Sequence, residues 1–205
     1  MRLEKYQTSN QQEEVIPYID EEILEAKRKQ EHQKYTTLET GMYAGDELIT
    51  FAQIEIPDTK ISLFLPEQFV LMPEEVKQVK YPSQDAPDYI FTSLDSTVNI
   101  CINVLPILLK EKELESICFQ FQTVLKNINP AIRTKQQSIR KTENGNDIIS
   151  FEYKGYHLDG QSYNRVYLIN LRSQVLYGSF NCEIRDKNKW ISIIDKLFMN
   201  TEEKE

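Results

Sequence analysis

Long apolar runs and excess positive charge are both missing from this sequence. No stretch approaches the roughly 20 apolar residues that a membrane-spanning helix needs. The first 14 residues have no apolar core, so we expect no secretory signal. The 205 residues include 24 Lys and Arg against 32 Asp and Glu, which gives a net charge of −8. Since affinity for phosphate backbones comes mainly from Lys and Arg, we expect no nucleic-acid partner.

Histidine, glycine and cysteine are scarce, and each shortage argues against one kind of functional site or cross-link. The two histidines, His32 and His157, have no second His or Cys at metal-ligand spacing, so we expect no metal site. The six glycines form no phosphate-binding loop, and we expect no cofactor. Cys101, Cys118 and Cys182 are far apart and have apolar neighbours. We expect free, buried thiols in a reducing compartment, and hence a cytoplasmic protein.

The other polar residues that could act in catalysis or in binding do not form a recognisable active site. His157 and Asp159 beside a turn, even with a nearby serine, do not have the spacing of a catalytic triad. Asp85 and Asp88 lie in a polar loop and are interpreted as solvated. The densest basic stretch, 133–141, is interpreted as the solvated edge of a strand.

Residues 1–47 are predicted to be a polar leader, partly disordered, in front of a globular domain at 48–205. The leader holds 11 acidic and 6 basic side chains, and its first 14 residues lack any periodicity. A helix is predicted over Asp20–Lys34, with Asp20 as N-cap, acidic residues first and basic residues last. Ile23 and Leu24 are among its few apolar residues, so this helix has little to bury.

The globular part alternates strands with amphipathic helices. Alternating apolar residues and turn signals predict the following strands: 48–56, 60–65, 88–96, 96–105, 138–142, 147–158, 161–171 and 174–184. Asn144-Gly145 and Asp159-Gly160 predict two of the hairpin turns. Apolar residues at helical spacing predict a long helix over 111–129 and a closing helix over 186–200, and Pro73 opens a short helix. The order predicts an α+β fold with an antiparallel sheet of six to seven strands packed against the long helix and the closing helix.

This order resembles the PsbP-like fold. The resemblance is carried by ISLFLPEQF (61–69), by VNICINVL (98–105) before the long helix, and by the ending YLINLRSQVLYGSFNCEIRDKNKWISIIDKLF (167–198) with Trp190. It spans about Ile49–Met199. Proteins of this fold include an extrinsic photosystem II protein, a nuclear import factor that binds the GTPase Ran, and bacterial chaperones for type VI secretion effectors. The resemblance therefore implies a protein-binding role without catalysis.

Eleven tyrosines are many for this length, and several alternate with polar residues along predicted strands. Tyr and Arg in mixed polar surroundings are typical of protein interfaces. We therefore predict a binding face on the open side of the sheet, made of Asn99, Asn103, Tyr163, Arg165, Tyr167, Tyr177 and Asn181. The alternative is that these tyrosines rim the core with their hydroxyl groups in water.

Three functions are consistent with these observations. The first is a non-enzymatic adaptor or chaperone that binds a protein, such as a secreted bacterial effector. The second is an immunity protein that inhibits a toxin, for which an acidic surface would suit a basic nuclease. The third is a small hydrolase or ligand-binding enzyme whose site has no recognised motif. We predict the first, with a protein partner and no catalytic residue.

Overall fold

The computed structural model describes residues 19–83, 86–157 and 160–204, in two compact units. The first unit ends at Lys34 and the second runs from Tyr35 to the C-terminus. In the first unit, α1 (Ile19–His32) matches the predicted polar helix closely. Its side chains are mostly exposed, and Glu25 pairs with Lys29 at 2.8 Å along the helix surface. The predicted disorder of residues 1–14 lies outside the described residues.

The second unit is an α+β structure, as predicted. Its strands are β1 (Thr36–Thr37), β2 (Gly41–Ala44), β3 (Glu47–Ile49), β4 (Phe51–Glu55), β5 (Ile61–Pro66), β6 (Val70–Leu71), β7 (Tyr89–Thr92), β8 (Asn99–Leu105), β9 (Ser138–Lys141), β10 (Asp147–His157), β11 (Gly160–Asn170), β12 (Val175–Glu183) and β13 (Glu202–Glu203). Its helices are α2 (Glu74–Lys80), α3 (Glu111–Ile128) and α4 (Lys187–Met199). None of the described helices is both long and apolar enough to cross a membrane.

Seven strands form one antiparallel sheet in the order β6-β7-β8-β12-β11-β10-β9. This confirms the predicted antiparallel sheet of six to seven strands. Long hairpins build its centre, since β10, β11 and β12 are consecutive in both sequence and space. Two three-stranded sheets, β1-β2-β3 and β13-β5-β4, complete the fold. Glu203 in β13 accepts a hydrogen bond of 2.6 Å from the Arg172 amide, which ties the last strand to the β11–β12 turn.

The two long helices cover opposite faces of the seven-stranded sheet. The apolar stripe of α4, which includes Trp190, Ile193 and Leu197, is buried in the larger core. This helix contacts β12 of the large sheet and also β2 and β5 of the small sheets. On the other face, α3 packs on β10 and β11 through Leu114 and Cys118, which are fully buried. Below, the two sides of the sheet are called the α4 face and the α3 face.

The structure corrects the prediction of a single strand over 48–56. The chain changes sheets at Thr50, because β3 pairs with β2 whereas β4 pairs with β5. The Thr50 carbonyl accepts a bond of 3.0 Å from the Glu67 amide, and its hydroxyl donates to the Glu67 carboxylate at 2.6 Å. A break of one residue preserves the alternation of apolar side chains, so the sequence pattern does not reveal it.

The compact unit also begins earlier than the predicted boundary at Leu48. Strands β1 and β2 lie before that residue, and they belong to the second unit. Leu38, Met42 and Ala44 are buried in its larger core. These strands are two and four residues long, too short for an alternating pattern to stand out.

The apolar residues that follow Pro66 have different environments. Phe69 packs on Trp190, with ring centroids 5.8 Å apart, and Met72 is buried. Leu71, by contrast, is 52% exposed in the short edge strand β6. The proline therefore ends β5 and sends the chain to the edge of the large sheet.

Candidate binding surface

The seven residues predicted to form one binding face lie on two opposite faces of the sheet. Strand register decides this, because side chains alternate between faces along each strand. Tyr163, Arg165 and Tyr167 in β11 point toward the α4 face, where Tyr163 and Tyr167 belong to the larger core. The other four point toward the α3 face: Asn99 pairs with Asn181 and Asn103 with Tyr177 across β8 and β12.

On the α4 face the prediction of an open surface is wrong, because α4 covers it. Tyr163 is 2% exposed and Tyr167 is 1% exposed. The ring of Tyr167 stacks on Phe198 of α4, with centroids 4.1 Å apart. Its hydroxyl donates a 2.6 Å hydrogen bond to the Asp195 carboxylate, also in α4. These tyrosines are structural contacts between the sheet and the closing helix.

Arg165 joins an ionic cluster under the same helix. Its guanidinium lies 3.0 Å from Asp195 and 3.8 Å from Glu152. Glu152 also accepts bonds from the Tyr163 hydroxyl at 2.6 Å, from Lys187 at 3.1 Å, and from Lys135. Burial disfavours the charged form of Glu152, but these donors outweigh burial and lower its pKa to about 2. The carboxylate is therefore ionised at neutral pH and links β10, β11 and α4.

On the α3 face the predicted residues form a polar row across the strands. The Thr92 hydroxyl donates to the Asn99 side-chain oxygen at 2.8 Å, and the Asn99 amide nitrogen donates to the Asn181 oxygen at 2.9 Å. The Asn103 oxygen accepts the Asp88 amide at 2.8 Å. Asn99 is buried, whereas Asn103 and Asn181 are half-buried. This row orders the sheet and leaves part of its polar surface open.

Tyr177 connects this row to helix α3. Its ring stacks on Phe121, with centroids 4.8 Å apart and planes 9° from parallel. Burial raises the pKa of the Tyr177 hydroxyl, which is therefore protonated at neutral pH. The other side of α3 contacts the segment before β9, because the Gln122 side chain donates a hydrogen bond of 3.2 Å to the Lys135 carbonyl. The Phe121 side of α3 therefore faces β12 and the open part of the sheet.

Along that side, α3 carries a row of four apolar side chains. They are spaced four, three and four residues apart, which places them on one face of a helix: Ile117, Phe121, Val124 and Ile128. The first two are half-buried, but Val124 is 53% and Ile128 is 76% exposed. We call these four residues, together with Asn103 and Tyr177, the α3 strip. The strip therefore combines apolar side chains on the helix with one polar and one aromatic side chain on the sheet.

The three thiols fit a structural role. All are free and buried, as predicted. Burial raises the pKa of Cys101, and raises those of Cys118 and Cys182 to about 12, so each stays protonated and is a poor nucleophile at neutral pH. Within the described ranges, no group of three or more His, Cys, Asp or Glu side chains could hold a metal ion.

Sequence reasoning missed the apolar row on α3, although the signal was present. The apolar residues at helical spacing form one stripe, which includes Leu114, Cys118 and Leu125 together with the row. That stripe is wider than one contact surface needs. In the structure the centre of the stripe is buried and its Val124–Ile128 end is exposed. A stripe that continues to the last turn, Ile128, could have indicated a second contact.

Comparisons with known proteins concern the fold. No protein family profile matches the chain, and curated proteins gave no match either. Among solved structures, cyanobacterial PsbP from Synechocystis superposes with a TM-score of 0.56 at 11% identity, over 78% of this chain and 96% of that one. LpqN of Mycobacterium tuberculosis, involved in cell envelope biogenesis, gives a TM-score of 0.48 at 13% identity over 76% and 91% of the two chains. The chain therefore has a PsbP-like fold, as predicted, and identities this low carry no function across.

Proposed function

We propose that this chain is a non-enzymatic adaptor that binds an apolar segment of a protein partner along the α3 strip. The observation that carries the proposal is the exposure of Val124 and Ile128, 53% and 76%, in a row that continues from buried contacts. Apolar side chains that extend in register from a packed surface offer area to a second chain. A chaperone-like role toward a secreted protein is the form of this proposal that fits best.

The surroundings of the row suit a polypeptide. The half-buried Asn103 side chain accepts one bond, from Asp88, and within the described part of the chain its amide nitrogen donates none. Tyr177 adds a half-buried aromatic edge beside Phe121. An extended or helical partner needs an apolar wall together with a few polar groups to fix its position. The strip supplies both kinds of contact.

A second row on α3, next to the apolar one, is uncharged, although Glu113, Glu115 and Lys126 elsewhere on the helix are exposed and charged. Ser116, Gln120, Thr123 and Asn127 form this second row at spacings of four, three and four residues, and all four are exposed. Phe119 is 64% exposed. Interface centres are depleted in charged residues relative to other surfaces, so a neutral helix face on a chain with net charge −8 favours a contact surface.

The buried free thiols are consistent with a cytoplasmic site of action, which we include in the proposal. Catalysis is not part of it. The neutral thiols and the fully paired Glu152 carboxylate fit structural roles better than catalytic ones.

The test compares a double variant of the strip with a single control variant in quantitative capture of a partner from the native cells. V124S/I128S removes the exposed end of the row. L94S serves as control, because Leu94 is 80% exposed and lies outside the strip. Exposed substitutions of this kind change the free energy of unfolding by less than about 0.5 kcal/mol. We expect the wild-type chain and L94S to retain one stoichiometric partner and V124S/I128S to lose at least about nine-tenths of it, which corresponds to more than about 1.4 kcal/mol.

Equal capture by V124S/I128S and L94S would refute the strip as the binding surface. A stoichiometric partner that is a toxin neutralised by this chain would replace the chaperone role with an immunity role on the same surface. Turnover of a small substrate that survives in both variants would contradict a non-enzymatic function.

A further inference from the structure

A cavity of about 550 Å³ lies at the edge of the large sheet, away from the α3 strip. Its walls come from the segment before β9, from the end of β10, and from the first residue of α4. The segment before β9 is the beginning of the basic stretch at 133–141, interpreted from sequence as a solvated strand edge. The structure places two of its cations, Arg133 and Lys135, around the cavity.

The cavity walls carry an excess of positive charge. Four cationic side chains line it (Arg133, Lys135, Lys154 and Lys187). One carboxylate, Glu152, lies among them and is shared by Lys135 and Lys187. Among the described residues no carboxylate pairs with Lys154, which is exposed. The local charge is opposite in sign to the net charge of −8, so the field at this cavity attracts anions although the protein as a whole repels them.

Aromatic side chains share the same walls. Lys154 lies opposite Tyr163 in the β10–β11 register, and Tyr156 follows two residues later on the same face. The Tyr156 side chain is 45% exposed. The Lys187 ammonium group lies 4.7 Å from the centre of the Tyr163 ring. This cation–π contact holds Lys187 at the cavity in addition to its ion pair with Glu152. Cations and aromatic rings therefore meet at one opening.

We infer that this cavity binds an anionic group, a phosphate or a carboxylate, attached to an aromatic body. Lys154 and Arg133 supply cations at the rim, and the exposed Tyr156 receives the ring beside the Lys187 ammonium group, which covers the buried Tyr163. The volume is within the range of small-molecule sites, where a few charged or polar groups beside apolar and aromatic side chains fix the orientation of the ligand. The proposal is independent of the α3 strip, and either can fail without the other.

The test is calorimetric titration of the full chain at low salt with four probes. Naphthyl phosphate and naphthoate carry both halves of the inferred ligand. Naphthol lacks the anion, and inorganic phosphate lacks the ring. We expect one of the two complete probes to bind with a stoichiometry of one, and to bind at least about tenfold more tightly than either half. Whichever complete probe binds identifies the anion as phosphate or carboxylate.

Two charge-reversal variants locate the site. K154E acts at the cavity rim, and K60E reverses a lysine that is also exposed and directly precedes β5. We expect K154E to weaken binding of the complete probe by about tenfold and K60E to leave it within about twofold. Raising the salt concentration should weaken wild-type binding. Absence of binding by both complete probes, equal binding of naphthol, or equal effects of K154E and K60E would each overturn the inference.

Discussion

Gly178 shows how one missing side chain allows the closing helix to reach the sheet. A Cβ atom built on this residue would lie 2.2 Å from one ring carbon of Phe198 and 2.6 Å from another. The same ring stacks on Tyr167 in the next strand, so it has no room to retreat. The requirement is one of space, since Gly178 is not among the positions with positive φ.

We therefore expect G178A to lower the free energy of unfolding by about 1–3 kcal/mol, because overpacking a dense core forces shifts of ring or backbone. The measurement is urea denaturation of four proteins: wild type, G178A, F198L and G178A/F198L. The smaller leucine should leave space for the new methyl group, so F198L should cost less in the G178A background than in the wild type. Additive effects would show that the two residues do not compete for space.

At the scale of elements, the ionic cluster joins β10, β11 and α4 through one carboxylate. Glu152 has a pKa of about 2 in the folded chain, below its ordinary value of 4.5. A carboxylate whose pKa is lowered by folding stabilises the folded state above the ordinary pKa. That contribution is lost as the pH falls toward the lowered value, because the unfolded chain then binds a proton that the folded chain does not.

We expect E152Q to be less stable than wild type at pH 7, and this difference to shrink as the pH is lowered from about 5 to about 2. The measurement is the free energy of unfolding of both proteins across that range. E55Q is the matched control, since Glu55 forms an exposed pair with Lys204 at 2.8 Å and such pairs contribute little. An E152Q deficit that stays constant with pH would contradict ionisation of Glu152 as its source.

The elements that could be predicted from sequence are the long ones. Strands β8, β10, β11 and β12 and helices α3 and α4 carry at least seven residues of regular pattern, and their predicted bounds agree closely with the structure. Strands of two to four residues, such as β1 and β13, have no pattern of their own and exist because a neighbouring strand pairs with them. The local sequence of such a strand does not show that a distant strand will pair with it.

The candidate site was harder to predict than the fold. The alternation of Tyr163, Arg165 and Tyr167 correctly indicates one face of β11, but sequence does not tell which helix covers that face. The pairing of Asn103 with Tyr177 requires the β8–β12 register, which joins strands more than 70 residues apart in the chain. Predicting the α3 face thus needed tertiary information, and the binding role of Asn99, Asn103, Tyr177 and Asn181 stays a prediction.

At the scale of the whole molecule, the boundary of the compact unit can be tested directly. A chain that starts at Tyr35 keeps β1 and β2, whereas a chain that starts at Leu48 loses three buried side chains: Leu38, Met42 and Ala44. We expect the shorter chain to be less stable by at least about 3 kcal/mol, from the apolar area it no longer buries. The measurement is the urea unfolding curve of each chain. Equal stability of the two chains would restore the boundary at Leu48.

Pairing of β13 with β5 has a consequence for synthesis in the cell. Glu203 lies opposite Ile61, so the sheet that contains β5 is complete only after a segment far later in the sequence has been synthesised. Helix α4, whose buried stripe fills the larger core, also follows β5 and β12 in the sequence. Until then the apolar faces of β5 and β12 have nothing to pack against. This unit therefore cannot complete its core until α4 and β13 have been synthesised, and before that point its unpaired apolar strands favour aggregation.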